Sequence, residues 1–109
     1  MNDRERLAEC EGFDWDDGNL EKNWETHRVA YWEAEEVFLN EPLLLKRDSK
    51  HSVAEPRLFV LGETNAMRRL FVSFTFREKL VRVISARNMN RREERQFEKY
   101  EKENPALSK

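Results

Sequence analysis

Apolar residues along this chain recur first at helical spacing, then in strand-like runs, and at the end at helical spacing again. The first twelve residues read as a short charged helical turn ending near Gly12. Gly12-Phe13-Asp14-Trp15 then alternates, with Phe13 and Trp15 on one side, as in a short strand. Asp16 is placed to cap a helix running to about His27, and Asp17 in its first turn suits the helix dipole. Leu20, Trp24 and His27 recur at i, i+4 and i+7, which makes them its expected buried stripe. A second helix is expected from about Ala30 to Leu39, with Tyr31, Ala34, Val37 and Phe38 on its packing side. Asn40-Glu41-Pro42 ends it, because proline cannot continue a helix and turns the preceding residue away from helical angles.

Leu43 to Lys46 reads as a strand, and Asp48 to Pro56, polar and without periodicity, as a loop. Arg57–Leu61, Arg69–Phe76 and Leu80–Ala86 are three strands rich in Val, Ile, Phe and Leu. The links between them are too short for a crossover helix, so an antiparallel meander is expected. Leu58-Phe59-Val60-Leu61 and Val83-Ile84 are apolar on both faces, as in strands covered on both sides. Asn90 opens a last helix with Glu93 three residues on, a capping box, and Phe97 and Tyr100 form its packing side. From Lys102 to residue 109 a frayed tail is expected, which leaves one domain over residues 13–101 after an extension at 1–12.

Charged residues make up 39% of the chain, against about 25% in an ordinary globular domain, so a compact core in a highly charged shell is expected. Net charge is only −2, but residues 1–55 hold 7 Lys and Arg against 15 Asp and Glu, and the remainder holds 13 against 7. Such asymmetry suits an anionic partner on one surface and a basic one on another; one mixed surface whose fields cancel is the alternative. No apolar run approaches the roughly 18 residues needed to span a bilayer, and the N-terminus shows no hydrophobic signal segment, so a cytoplasmic protein is expected. Cys10 is the sole cysteine, which rules out an internal disulfide and a cysteine-based metal site; a partly buried, inert thiol is expected.

Arginine carries the most information. Arg57, Arg77, Arg82, Arg87, Arg91 and Arg92 lie on or beside the meander and the start of the last helix. Arg82 stands between Val81 and Val83, where a guanidinium loses water and costs several kcal/mol without a partner. Arg91 and Arg92 occupy a first helical turn, which disfavours cations by about 0.3–1 kcal/mol each. Either an anion such as phosphate gathers there, or Glu93 and Glu94 pair with them locally. His27, on the expected stripe, reads as a packed residue; His51, in the polar loop, can titrate near neutral pH. Glu55 and Arg57, separated by Pro56, would face the same side of a strand. Neither a metal-ligand spacing nor a glycine-rich phosphate loop occurs, and Ser73 and Ser85 have no base beside them in sequence, so no cofactor is expected.

Taken in order, these segments resemble BrnT-type toxins. Phe13-Asp14-Trp15-Asp16, Asn23 and His27-x-Val29 resemble the family's opening, where a strand ending in W-D leads into a helix closing on N-L-x-K-H-G-V. Tyr31 to Phe38 is similar to F-E-E-A-x-x-V-F. Asp48-x-x-His51-Ser52 with Glu55-x-Arg57 resembles D-x-x-H-S-x-x-E-x-R, and Val83 to Arg87 with Arg91-Arg92-Glu93 and Tyr100 resembles I-I-S-A-R-x-A-x-x-R-E-R-x-x-Y.

The resemblance implies a RelE-like α+β fold: an antiparallel sheet with an N-terminal helical hairpin and a C-terminal helix packed on it. It also implies a ribonuclease toxin of a type II toxin–antitoxin pair. The partner would be a BrnA-like antitoxin that dimerises through a ribbon-helix-helix DNA-binding region, so that DNA is reached only through the antitoxin. RNA would be cut without metal, by attack of the 2′-hydroxyl on the adjacent phosphorus. On that reading Arg57, Arg82 and Arg87 contact phosphate and stabilise the transition state, and Glu55 or His51 moves the proton. Thr75 and Arg77 are secondary contacts, and Arg91 and Arg92 steer RNA or bind the partner. An antitoxin would cover the basic cleft with an acidic or apolar segment.

Three positions depart from the family: Thr26 replaces a lysine, Arg28 the glycine that ends the helix, and Ala30 a serine cap. They favour an alternative function, a catalytically weak toxin fold that mainly binds an antitoxin and takes part in operon autoregulation. A direct DNA-binding regulator finds no helix-turn-helix signal.

Overall fold

The computed structural model describes residues 1–48, 50 and 55–105. In chain order the elements are α1 (Asp3–Ala8), β1 (Gly12–Asp14), α2 (Asp17–His27), α3 (Tyr31–Leu39), β2 (Leu44–Arg47), β3 (Leu58–Glu63), β4 (Arg69–Arg77), β5 (Leu80–Asn88) and α4 (Arg91–Glu103). The strands form one sheet in the order β1-β5-β4-β3-β2. Pairings β2–β3, β3–β4 and β4–β5 are antiparallel, the last two as their short links require. The sheet is not wholly antiparallel, however, because β1 pairs with β5 in parallel, Asp14 opposite Arg82.

Alternation gives the sheet two faces. Leu58 and Val60 of β3, Leu70, Val72 and Phe74 of β4, and Val81 and Val83 of β5 join Val29, Ala34 and Val37 in the main core. The opposite face carries Phe59, Leu61 and Phe71, which pack with Leu44, Met89, Phe97 and Tyr100 under α4. Gly62 lets α3 approach β3: a Cβ there would stand 2.9 Å from Val37 Cγ1 and 3.2 Å from Leu43 Cδ1.

The capping residues behave as their chemistry dictates. Asp16 Oδ1 accepts from the Asn19 N–H, and Asn90 Oδ1 accepts from the Glu93 N–H while Glu93 reaches back to the Asn90 N–H. Ala30 cannot cap, and only half of a box survives there, the Ala30 N–H donating to Glu33 Oε1. Arg28 ends α2 in the left-handed conformation, φ 53°, a helix end at which glycine is the usual residue. The Arg68 guanidinium completes that helix end, donating to the carbonyls of His27 (3.2 Å) and Arg28 (2.9 Å) and to both oxygens of Glu33.

Packing overrides periodicity on the hairpin. The expected stripe of Leu20, Trp24 and His27 is not the buried one; Trp24 is 49% exposed, and the buried residue of α2 is Asn23. Tyr31 likewise turns outward, and with Leu20, Trp24, Ala30 and Trp32 it lines an apolar hollow of about 200 Å³. A short amphipathic segment can point either of two neighbouring faces at the sheet, and a smaller residue allows closer approach. At the C-terminus α4 runs one residue past Lys102, to Glu103. At the N-terminus α1 is tied down: Arg4 donates to the Leu43 carbonyl and to the Tyr100 hydroxyl, and Arg47 pairs with Asp3 at 2.8 Å.

Candidate active site

The face opposite the hairpin carries the arginines. Thr75 of β4 and Arg82 of β5 are direct register partners. Arg57 immediately precedes β3, whose Leu58 pairs with Phe74, and the Asp48 N–H donates to its carbonyl at 2.8 Å. Alternation puts position 57 on the side of Phe59 and Thr75. Thr75 is buried, and its hydroxyl donates to the Pro56 carbonyl at 2.6 Å, which ties the approach of Arg57 to β4. Arg77, at the exposed end of β4, points to the same side.

Arg87 reaches this face only through an irregularity. Arg82 and Arg87 are five residues apart, an odd number, and a regular strand would send them to opposite faces. In β5, however, Val83 faces Phe74 and Ser85 faces Ser73, so Ile84 is an extra residue. That bulge reverses the alternation and returns Arg87 to the side of Arg82, opposite Phe71.

Arg77, Arg82 and Arg87 each lie against a carboxylate. Arg82 pairs with Asp14 at 3.1 Å and with Asp16 at 3.5 Å, its side chain 25% exposed. Arg87 makes two parallel hydrogen bonds to Glu93, 2.8 and 2.9 Å, and its guanidinium lies 4.2 Å from the centre of the Phe71 ring. Burial pushes the Glu93 carboxyl up, but hydrogen bonds from Arg87 and the Asn90 N–H, with the Arg87 charge, outweigh it and hold the group below its ordinary value. Arg77 and Glu55, both about half exposed, lie 3.9 Å apart, a weakly coupled pair.

Of the residues singled out in the sequence, Arg57, Thr75, Arg77, Arg82 and Arg87 share this face, with Glu55 beside Arg77. His51 lies outside the described residues. Arg91 and Arg92 are exposed on the first turn of α4, and the local pairing with Glu93 and Glu94 does not form. Glu93 is taken by Arg87, and Glu94 lies 3.9 Å from Arg69. Asp14 and Asp16 were not legible as counter-charges to Arg82, because Asp14 and Arg82 are 68 positions apart. A hollow of about 470 Å³ between α1, the end of α3 and the end of α4 is lined by none of these arginines.

The family model described as ribonuclease toxin, BrnT, of type II toxin–antitoxin system matches residues 15–93. The chain belongs to the BrnT family. That family consists of ribonuclease toxins of type II toxin–antitoxin systems, and membership in it implies an antitoxin partner. The match runs from Trp15 through the bulged β5 to Glu93, so every arginine of the sheet face falls within it. Among solved structures, the 1.1 Å crystal structure of the Brucella abortus ribonuclease toxin BrnT superposes with a TM-score of 0.53 at 22% identity, covering 73% of this chain and 97% of that one. That likeness is one of fold. A comparison with curated proteins finds no match. No helix among the described residues of this BrnT chain is long and apolar enough to cross a membrane.

Proposed function

We propose that this protein cuts RNA by metal-independent attack of a 2′-hydroxyl on its adjacent phosphorus, and that a BrnA-like antitoxin with a ribbon-helix-helix region neutralises it in the cytoplasm. The observation that carries the reading is the gathering of Arg57, Arg77, Arg82 and Arg87 on one sheet face. In the step, the 2′-oxygen bonds to phosphorus as the bond to the 5′-oxygen breaks, leaving a cyclic phosphate and a 5′-hydroxyl. A base takes the 2′ proton, and an acid returns one to the departing oxygen. Negative charge grows on the phosphoryl oxygens, and guanidinium groups fixed on a rigid sheet stabilise it without reorganising, a contribution of roughly 10² to 10³ in rate for each good donor. Glu55, on the rim beside Arg77, and His51 are the proton-transfer groups of this scheme. Arg82 keeps donors beyond those used by Asp14 and Asp16, since a guanidinium has five. Arg91 and Arg92, exposed on α4, extend the positive surface for the RNA backbone.

A second reading has its own observation. The carboxylates on Arg77, Arg82 and Arg87 compete with phosphate, and they favour a catalytically weak toxin fold that acts mainly by binding its antitoxin and joining operon autoregulation. Expression of the full chain without a partner separates the two. Growth arrest with RNA breakdown, abolished by Arg57→Ala or Arg82→Ala, is expected for the nuclease. Normal growth and intact RNA select the binding module.

A further inference from the structure

We infer that Asn23 is a positioning residue for the arginine face: from α2, its side-chain carbonyl pins the bulged register of β5 and so holds Arg87 on the side of Arg82. The inference rests on the nuclease reading above for its catalytic consequence, and on geometry alone for the placement.

Three observations meet at this residue. The parallel pairing with β1 ends at Arg82, so β5 runs on past Ile84 without a strand along that edge. Beyond the bulge the β4 ladder resumes, Ser85 opposite Ser73 and Ala86 opposite Val72, so a β5 N–H that points away from β4 has no strand to meet. The Ala86 N–H, two residues past the extra Ile84 and one before Arg87, finds that partner in Asn23 Oδ1 at 3.1 Å. Both residues are buried, Asn23 at 3% exposure and Ala86 at 0%.

The choice of residue is costly, which is the second part of the case. Asn23 is the one buried residue of α2. Its Nδ2 group has no hydrogen-bond partner among the described residues. An amide donor buried unpaired is costly, and that cost is offset at the Ala86 N–H, which would otherwise be buried without an acceptor. Its carbonyl does what no aliphatic group can, supplying an acceptor to the backbone beside Arg87. Without it, the segment from Ile84 to Arg87 is held on one side only, by β4, and the guanidinium loses the fixed base from which it reaches Glu93 and the site.

The test compares the full-length protein with Asn23→Leu and Asn23→Ala, which remove the acceptor, and Asn23→Asp, which keeps it. Amide hydrogen exchange at Ala86 and the Arg87 side-chain ¹⁵N signals report placement, and cleavage of an RNA oligonucleotide reports function. The acceptor-free variants are expected to exchange Ala86 faster and broaden the Arg87 signals. They should lower kcat about 10- to 100-fold, the scale of a misplacement near 1 Å, with KM changed far less. Asn23→Asp should restore Ala86 protection and most of kcat. In an Arg87→Ala background, Asn23→Leu should add less than about 2-fold, because the two act as one unit. Unchanged Arg87 signals in the folded acceptor-free variants would overturn the inference, and so would an equal kcat loss with and without Arg87. If the unaltered protein leaves RNA intact, the nuclease reading falls, and the Ala86 and Arg87 signals still decide the placement.

Discussion

Asp14 and Arg82 face each other directly across the parallel β1–β5 pairing and are joined at 3.1 Å. The strand that carries the arginine is thus locked to the edge strand by charge as well as by its ladder. Asp16 approaches the same guanidinium at 3.5 Å while its other oxygen caps α2, so the start of that helix is tied to the site.

That arrangement makes Asp14 a competitor for any phosphate that Arg82 binds. Asp14→Asn removes the charge and keeps the shape, and RNA binding is expected to tighten several-fold, by roughly 1 kcal/mol at this partly buried pair. Titration of a fluorescent, non-cleavable oligonucleotide at fixed salt measures it. A weaker complex would show instead that Asp14 orients Arg82 for the ligand.

The Arg87–Glu93 pair predicts a pH dependence of stability. The Glu93 carboxyl is held below its ordinary value in the folded protein, so the folded state binds its proton less readily than the unfolded chain does. The resulting stabilisation is fully present above about pH 4.3, the value in the unfolded chain, and is lost as pH falls through the lower folded value. Glu93→Gln should cost about 2 kcal/mol near neutral pH, the scale of a charged hydrogen-bonded pair, and flatten the acid limb. Urea midpoints between pH 7 and pH 3 for the two proteins measure both effects.

Arg28 holds a left-handed backbone angle that glycine adopts without strain. Arg28→Gly is expected to stabilise the protein by about 1 kcal/mol, less the contribution of the Arg28 guanidinium over the Trp24 ring at 5.3 Å. Thermal melting reads the difference, and a lower Tm would mean that the contact with Trp24 outweighs the backbone strain.

Gly62 gives the opposite case. Gly62→Ala drives a methyl against Val37 and Leu43 and should cost about 1–3 kcal/mol, as overpacking does. Val37→Ala in the same chain removes the nearer clash, so the two changes together should cost less than their sum. Additive losses in chemical denaturation would place the strain elsewhere.

Cys10 should prove a slow thiol. Burial raises its ionisation above the ordinary value, against a smaller lowering by Arg6, so little thiolate forms near neutral pH. Iodoacetamide labelling of the folded protein is expected to lag behind free cysteine at pH 7.5 and to catch up only at alkaline pH. Labelling at the free-thiol rate would contradict this.

Local order was largely readable from the chain. Caps at Asp16 and Asn90, the stop at Pro42 and the β3–β4–β5 meander follow from side chains acting on their own backbone, or from links too short to allow anything else. Those forces span a few residues, and one sequence displays them. The family order of motifs added the arginines as a set.

Which arginines share a face, and what holds them, belonged to the tertiary structure alone. Parity along β5 counts Arg82 and Arg87 to opposite sides until Ile84 is inserted as a bulge, and no local signal marks that residue. The parallel partner of β5 comes from the far end of the chain and brings Asp14 with it, and Asn23 displaced the aromatic stripe of α2 because a buried backbone N–H on β5 required an acceptor. Contacts between distant segments obey desolvation and hydrogen-bond demand at close range, and those demands exist only after the chain has folded.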